Sequence, residues 1–268
     1  MVGIEQLNQL LEQFMTTVEE SEEILLAAQK RKCSRKILLV EFACQDDSEL
    51  SAAAQSWGWE ILRLTRSTYD LRTKKAKDEA ISFMRQKRKE GHHIVLWGSI
   101  PCTPWTRWQD MNIHMYGPEF EKKLIRQRVE NLLMVKNFWE LAKFVREDPE
   151  SYLAYEWPAH CRGWENPTVK RVMEDLALTP VMVDGCQLGV VSVDGIPILK
   201  PWQIRTNSPG LLKVLEGKRC PKDHVHQSCE GKHTERSGYY PRKMCMICIK
   251  GFMEDYQVSR VAGTTCDN

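Results

Sequence analysis

Residues His93-Ile94-Val95-Leu96-Trp97-Gly98 form a short apolar run, β-branched or aromatic in part, that is closed by Gly98-Ser99 and then Pro101. That length and those breakers specify a buried strand rather than a helix. The run stands between a basic helical stretch, Lys74–Glu90, and a long one, Glu119–Arg146, whose apolar face draws on Phe120, Leu124, Leu132, Phe138, Trp139, Leu141 and Val145. Further strands are expected at Ile37–Phe42, Ile61–Leu64, Tyr152–Trp157 and Val181–Val183, with helices at Ser48–Ser56, capped by Ser48, and Thr168–Leu178. Strand alternating with helix predicts an α/β fold with a doubly wound sheet.

The alternation ends near residue 189. Val190–Val193 and Ile196–Leu199 flank Asp194-Gly195, a dipeptide that favours a tight hairpin turn. Beyond it the chain is irregular until Pro241–Glu254, which reads as a final helix. The expected organisation is an amino-terminal amphipathic helix (1–33), an α/β core (34–188), a hairpin with a Cys/His-rich appendage (189–240), and a carboxyl-terminal helix and tail (241–268). Leu7, Leu10, Leu11, Phe14 and Val18 give the first segment a face that could pack on the core or on a protein partner through residues 1–30.

Two strand ends carry chemistry. The Ile100-Pro101-Cys102-Thr103 segment puts a thiol at the mouth of the 93–98 strand, with Pro101 and Pro104 fixing the backbone on both sides. The Tyr152–Trp157 strand delivers Glu156 and stops at Pro158. In a parallel sheet the carboxyl ends of strands share one edge, and ligands bind in the crevice outside it. A thiolate beside an acid suits attack on an electron-poor ring whose nitrogen is protonated as its carbon is attacked. Taken singly, Cys102 would be a packing thiol and Glu156 a surface acid.

Charge and cysteine usage narrow the partners. Residues 1–30 hold six acids against Lys30, a net of −5, whereas residues 200–250 hold eleven Lys and Arg against four acids, a net of +7. A basic carboxyl-terminal third suits a polyanion, because neutralising phosphates releases counterions. Four of the ten cysteines lie between Cys220 and Cys248, mixed with histidine, which points to metal chemistry more than to a disulfide framework. Cys220, His224, His226 and Cys229 are donors that tetrahedral zinc accepts. Cys245 and Cys248 sit among Met244, Met246 and Ile247 and read as core. No apolar run is long enough to span a membrane, and Met1 to Gln13 lacks a basic start before an apolar core. An intracellular protein is expected.

Set in order, these motifs resemble the DNA cytosine-5 methyltransferases, and more closely the methyltransferase-like domains of phages and retrotransposon polyproteins. The shared pattern is Pro-Cys-Thr-x-Trp-Thr with Gln109 and Asn112, then Glu156-Trp157-Pro158, Asp184-Gly185-Cys186-Gln187-Leu188-Gly189, Lys200-Pro201-Trp202, Thr206-Asn207-Ser208, Cys220 with His224 and His226, and Tyr240-Pro241. It covers roughly residues 36 to 252. The resemblance implies a Rossmann-like methyltransferase sheet, with Cys102 attacking carbon 6 of cytosine in DNA and Glu156 holding and protonating the ring nitrogen. It implies S-adenosylmethionine as methyl donor, near Phe42, Ala43, Asp70 and Pro101. The turn after the first strand, Glu41 to Asp47, holds no glycine, in contrast to the family, and Asp70 could instead cap the next helix. The resemblance also offers Cys186 as an alternative to Cys229 for the fourth ligand of a structural zinc.

Trp105, Arg107, Trp108 and Gln109 follow the nucleophile, where they would stack on or fill beside an extruded base; both tryptophans serve equally well as core residues. Lys200, Arg205 and Asn207 are candidates for phosphate or base contact. A rival reading is a catalytically decayed, zinc-stabilised nucleic-acid-binding accessory domain of a mobile element, favoured by the missing glycines. A third, a thiol hydrolase, needs His114 or His160 to reach Cys102.

Overall fold

A computed structural model describes residues 35–229, 231 and 237–262; the helix expected over residues 3–30 lies outside them. Among the described residues, six strands form one mixed sheet: β1 (Lys36–Cys44), β2 (Glu60–Thr65), β3 (His92–Gly98), β4 (Tyr152–Pro158), β5 (Thr179–Asp184) and β6 (Pro201–Thr206). Their order across the sheet is β2-β1-β3-β4-β6-β5. The pairs β1–β2, β1–β3 and β3–β4 are parallel, and β6 runs antiparallel to both its neighbours. The expected α/β class and its alternating strands are present.

Among the described residues, six α-helices accompany the sheet: α1 (Glu49–Ser56), α2 (Lys74–Lys89), α3 (Trp108–Arg146), α4 (Pro167–Asp175), α5 (Pro209–Leu215) and α6 (Arg242–Ala262). Ser48 caps α1 as expected, its Oγ accepting from the Ser51 N–H at 3.3 Å. Thr73 caps α2. Alternation along the strands sends Leu38, Val40, Phe42, Ile94, Leu96, Leu153, Tyr155 and Trp157 into one core layer, against α2, α3 and α4. Glu41, Trp97 and Glu156 therefore face the opposite layer, where α1, α5 and α6 pack.

Three sequence expectations change. The long helix begins at Trp108, and Gly117 (φ 70°, ψ −162°) with Pro118 breaks it just before the expected start at Glu119. The hairpin at Asp194-Gly195 turns as expected but carries only the bridge Val191↔Pro197. Its ladder is cut short because the Val190 N–H goes to the Gly185 carbonyl at 2.9 Å and the Ile196 N–H to Ser192 Oγ at 3.1 Å. Finally, residues 201–206, expected in the appendage, form a strand of the main sheet.

Helices α5 and α6 cross through glycine. A Cβ at Gly210 would overlap the Gly251 carbonyl and stand 2.9 Å from Asp255 Oδ1, which accepts the Gly210 N–H at 2.7 Å. Gly210→Ala is expected to lower unfolding free energy by about 1–3 kcal/mol in urea denaturation. An unchanged midpoint would mean that the two helices part at no cost.

Candidate active site and metal cluster

The carboxyl ends of β1, β3 and β4 open onto one cavity of about 280 Å³. It lies where the winding reverses, since the chain leaves β1 for β2 on one side and later returns to β3 on the other. Cys102 and Glu156, far apart in the chain, both line it, as the strand argument requires.

Cys102 sits just before a 3-10 turn, Thr103–Trp105, and its carbonyl accepts the Trp105 N–H at 2.8 Å. The loop is anchored to β1 by the Ser99 N–H, which donates to the Phe42 carbonyl at 3.1 Å, and to β4 by the Trp157 indole, which donates to the Ile100 carbonyl. Burial, and after it the Glu156 carboxylate, push the half-buried thiol up to about 11, with Lys200 pulling in the other direction.

Glu156 is 6 % exposed. Its Oε2 accepts from the Tyr240 hydroxyl at 2.6 Å, and that hydroxyl in turn accepts from the Trp97 indole N–H at 3.1 Å. Its Oε1 is buried with no hydrogen-bond partner. Burial raises the carboxyl above its ordinary value, opposed by the Tyr240 bond and by Lys200. A buried carboxylate oxygen left unmatched beside a cavity costs free energy unless a ligand supplies a donor. Sequence reasoning missed Tyr240 and Trp97 as site residues, because their role arises only when the start of α6 meets β3.

At the β1 end the cavity is lined by Ala43, Cys44, Gln45, Ser48 and Glu49. Ala43 has φ 67°, the left-handed region that glycine ordinarily fills. The turn thus keeps the backbone shape of a glycine turn with an alanine in it. Glu41, buried beside it, accepts from the Ser48 hydroxyl at 2.7 and 2.8 Å and from the Ser51 hydroxyl. Burial raises its carboxyl as well.

The remaining sequence candidates divide. Pro101 and Ala43 line the cavity, whereas Phe42 lies beneath it in the core, edge-on to Phe138. Asp70 is exposed, does not line the cavity and is paired with Arg72 at 2.7 Å. Trp105 is core, its indole donating to Asn131 Oδ1 at 2.9 Å, so it is not free to stack on a base. Gln109 is also buried, bracing the Thr103 carbonyl at 2.8 Å. Arg107 is exposed, and Trp108 is 63 % exposed. Lys200 reaches the cavity. Arg205 and Asn207 do not, because antiparallel β6 carries them to the opposite edge, where Asn207 Oδ1 accepts the Leu153 N–H at 2.7 Å. His114 and His160 are exposed, and neither lines the cavity.

Past β5, Cys186, Cys220, His224 and His226 bring their ligand atoms within 4.8 Å of one another, an arrangement that could hold a metal ion. Cys220 Sγ is 3.4 Å from His226 Nε2 and 3.8 Å from His224 Nε2. Sulfur and nitrogen on one tetrahedral zinc lie about 3.5 Å apart. Asp223 Oδ1 lies 2.7 Å from His224 Nδ1, an outer contact that would leave Nε2 free to ligate an ion. The fourth member is Cys186; Cys229 stands outside the group, its sulfur 3.1 Å from Ser237 Oγ. Cys245 and Cys248 are fully buried, as expected of core residues. Among the described residues no helix is long and apolar enough to cross a membrane. Set against models of known protein families, curated proteins and solved structures, the chain matches none of them.

Proposed function

We propose that this protein is a methyltransferase-like enzyme acting on cytosine in DNA, with Cys102 as nucleophile and Glu156 as the acid at the ring nitrogen. One observation carries the reading: Glu156 is buried, with one oxygen fixed by Tyr240 and the other unpartnered, in a cavity it shares with a thiol. A base lying between them would give Oε1 the partner it lacks. Sulfur attack on carbon 6 forms a C–S bond while Glu156 passes its proton to the ring nitrogen, which makes carbon 5 electron-rich. Because that carbon is stacked in a duplex, the base would enter flipped out or single-stranded.

S-adenosylmethionine, when bound, supplies the methyl group. Two features of the chain's own residues suit it: the left-handed turn at Ala43 and an acidic end wall containing Glu49, complementary to a cationic donor. Zinc in the Cys186–Cys220–His224–His226 cluster completes the proposal as a structural ion, because Cys102 and Glu156 account for the chemistry elsewhere.

An oligonucleotide carrying 5-fluorocytosine tests this. Once methylated, that base has no proton at carbon 5 to lose, so the enzyme stays attached. With the methyl donor present, wild type is expected to form a denaturant-resistant adduct and Cys102→Ser none. Salt-sensitive binding without any adduct would sink the enzymatic reading in favour of an accessory nucleic-acid-binding domain.

A further inference from the structure

Lys200 immediately precedes β6, and its carbonyl accepts the Gly185 N–H at 2.9 Å, which fixes where its side chain starts. The side chain does not run out to solvent as a phosphate-binding lysine would. Its Nζ donates to the Ser237 carbonyl, lies 3.4 Å from Ser237 Oγ, and is 5.2 Å from the Trp202 ring. It lines the cavity together with Cys102, Glu156 and Tyr240.

We propose that Lys200 is the fixed counter-charge of the Cys102–Glu156 pair, a positioning residue that stabilises the single negative charge the pair carries wherever its proton resides. Thiol with carboxylate, and thiolate with carboxylic acid, both sum to −1, so one cation balances either arrangement. The proton can pass from sulfur to Glu156 without a change of net charge in the cavity. In the attack that follows, the sulfur electron pair forms the bond to carbon 6, the π pair of the 5,6 double bond moves into the ring, and the ring nitrogen takes the proton from Glu156. The restored carboxylate again faces the same lysine.

Tyr155, Tyr240 and Cys161 also stand around Cys102, and burial raises all three, Cys161 to about 12; Tyr239 lines the cavity too, and buried Cys248, likewise raised, feels the Glu156 charge. The raised groups stay neutral over the working range. Glu41, Glu49 and Cys44 line the far end of the cavity. Glu156 and Lys200 are thus the charges that act on the thiol, and they act in opposite senses.

The inference rests on reading Cys102 and Glu156 as the reacting pair, and its test uses neither methyl donor nor nucleic acid, so the two can fail separately. Iodoacetamide alkylation of Cys102 is followed against pH by mass spectrometry of the tryptic peptide spanning residues 90–107, where Cys102 is the only cysteine. Lys200→Gln, which keeps a hydrogen-bond donor and loses the charge, is expected to move the profile up by about one pH unit, slowing alkylation at pH 8 about tenfold. Lys200→Arg is expected to restore most of the rate. Lys200→Met, which keeps an unbranched apolar stem, is a second neutral variant should the first fold poorly. A profile unchanged in either neutral variant overturns the proposal.

Discussion

Replacing Cys220 with serine is expected to remove a bound zinc ion and to lower the melting temperature by about 10 °C or more. The segment from Lys218 to Cys229 contains no helix or strand, and its tie to the hairpin is the Gln227 N–H donating to the Pro197 carbonyl at 2.8 Å. Such a stretch buries too little apolar surface to offset its ordering entropy, so metal-ligand bonds would supply the difference. Several kcal/mol lost from a chain of this size corresponds to a shift of that order. Chelation should reproduce the shift in the wild type, and Cys229→Ser should leave metal content intact, because its sulfur stands outside the cluster. The check is metal analysis with thermal melts. Equal metal loss from both cysteine variants, or a metal-free wild type with an unchanged melt, would reject the assignment.

Glu156→Gln is expected to act in opposite directions on two reactions of the same thiol. The amide still accepts from Tyr240, so the fold is preserved, but it has no acidic proton to give the ring. Capture of the fluorinated base should slow about 10²–10⁴-fold. The same substitution removes the carboxylate charge that, after burial, holds the Cys102 thiol up. Alkylation by iodoacetamide should therefore become faster at a given pH. A parallel loss in both reactions would indicate general damage to the cavity, and no loss in either would remove Glu156 from the chemistry.

The sheet and the meeting of Cys102 with Glu156 were legible because both follow from parallel strands ending on one edge. Strand β6 was equally written in Trp202, Ile204 and Thr206, which alternate with half-buried neighbours, yet the irregular sequence around them masked so short a period. Trp105 and Gln109 look like base contacts on proximity to the nucleophile alone; only tertiary packing shows that Asn131 and the Thr103 carbonyl already claim them. Tyr240 could not be assigned, since its partner lies 84 residues away in sequence. The choice between Cys186 and Cys229 depended on the fold bringing the turn after β5 against Cys220, where the Cys220 N–H donates to Asp184 Oδ2 at 2.8 Å.

Because, among the described residues, β5 is bonded to β6 alone, a fragment ending at residue 188 would carry an orphan edge with nowhere to pair. Synthesis must run past Thr206 before the second half of the sheet can close, which makes that closure a late, non-local event. The reversed strand thereby ties core and appendage into one compact unit, and cutting the polypeptide at the boundary its sequence suggests is expected to leave an aggregation-prone remnant.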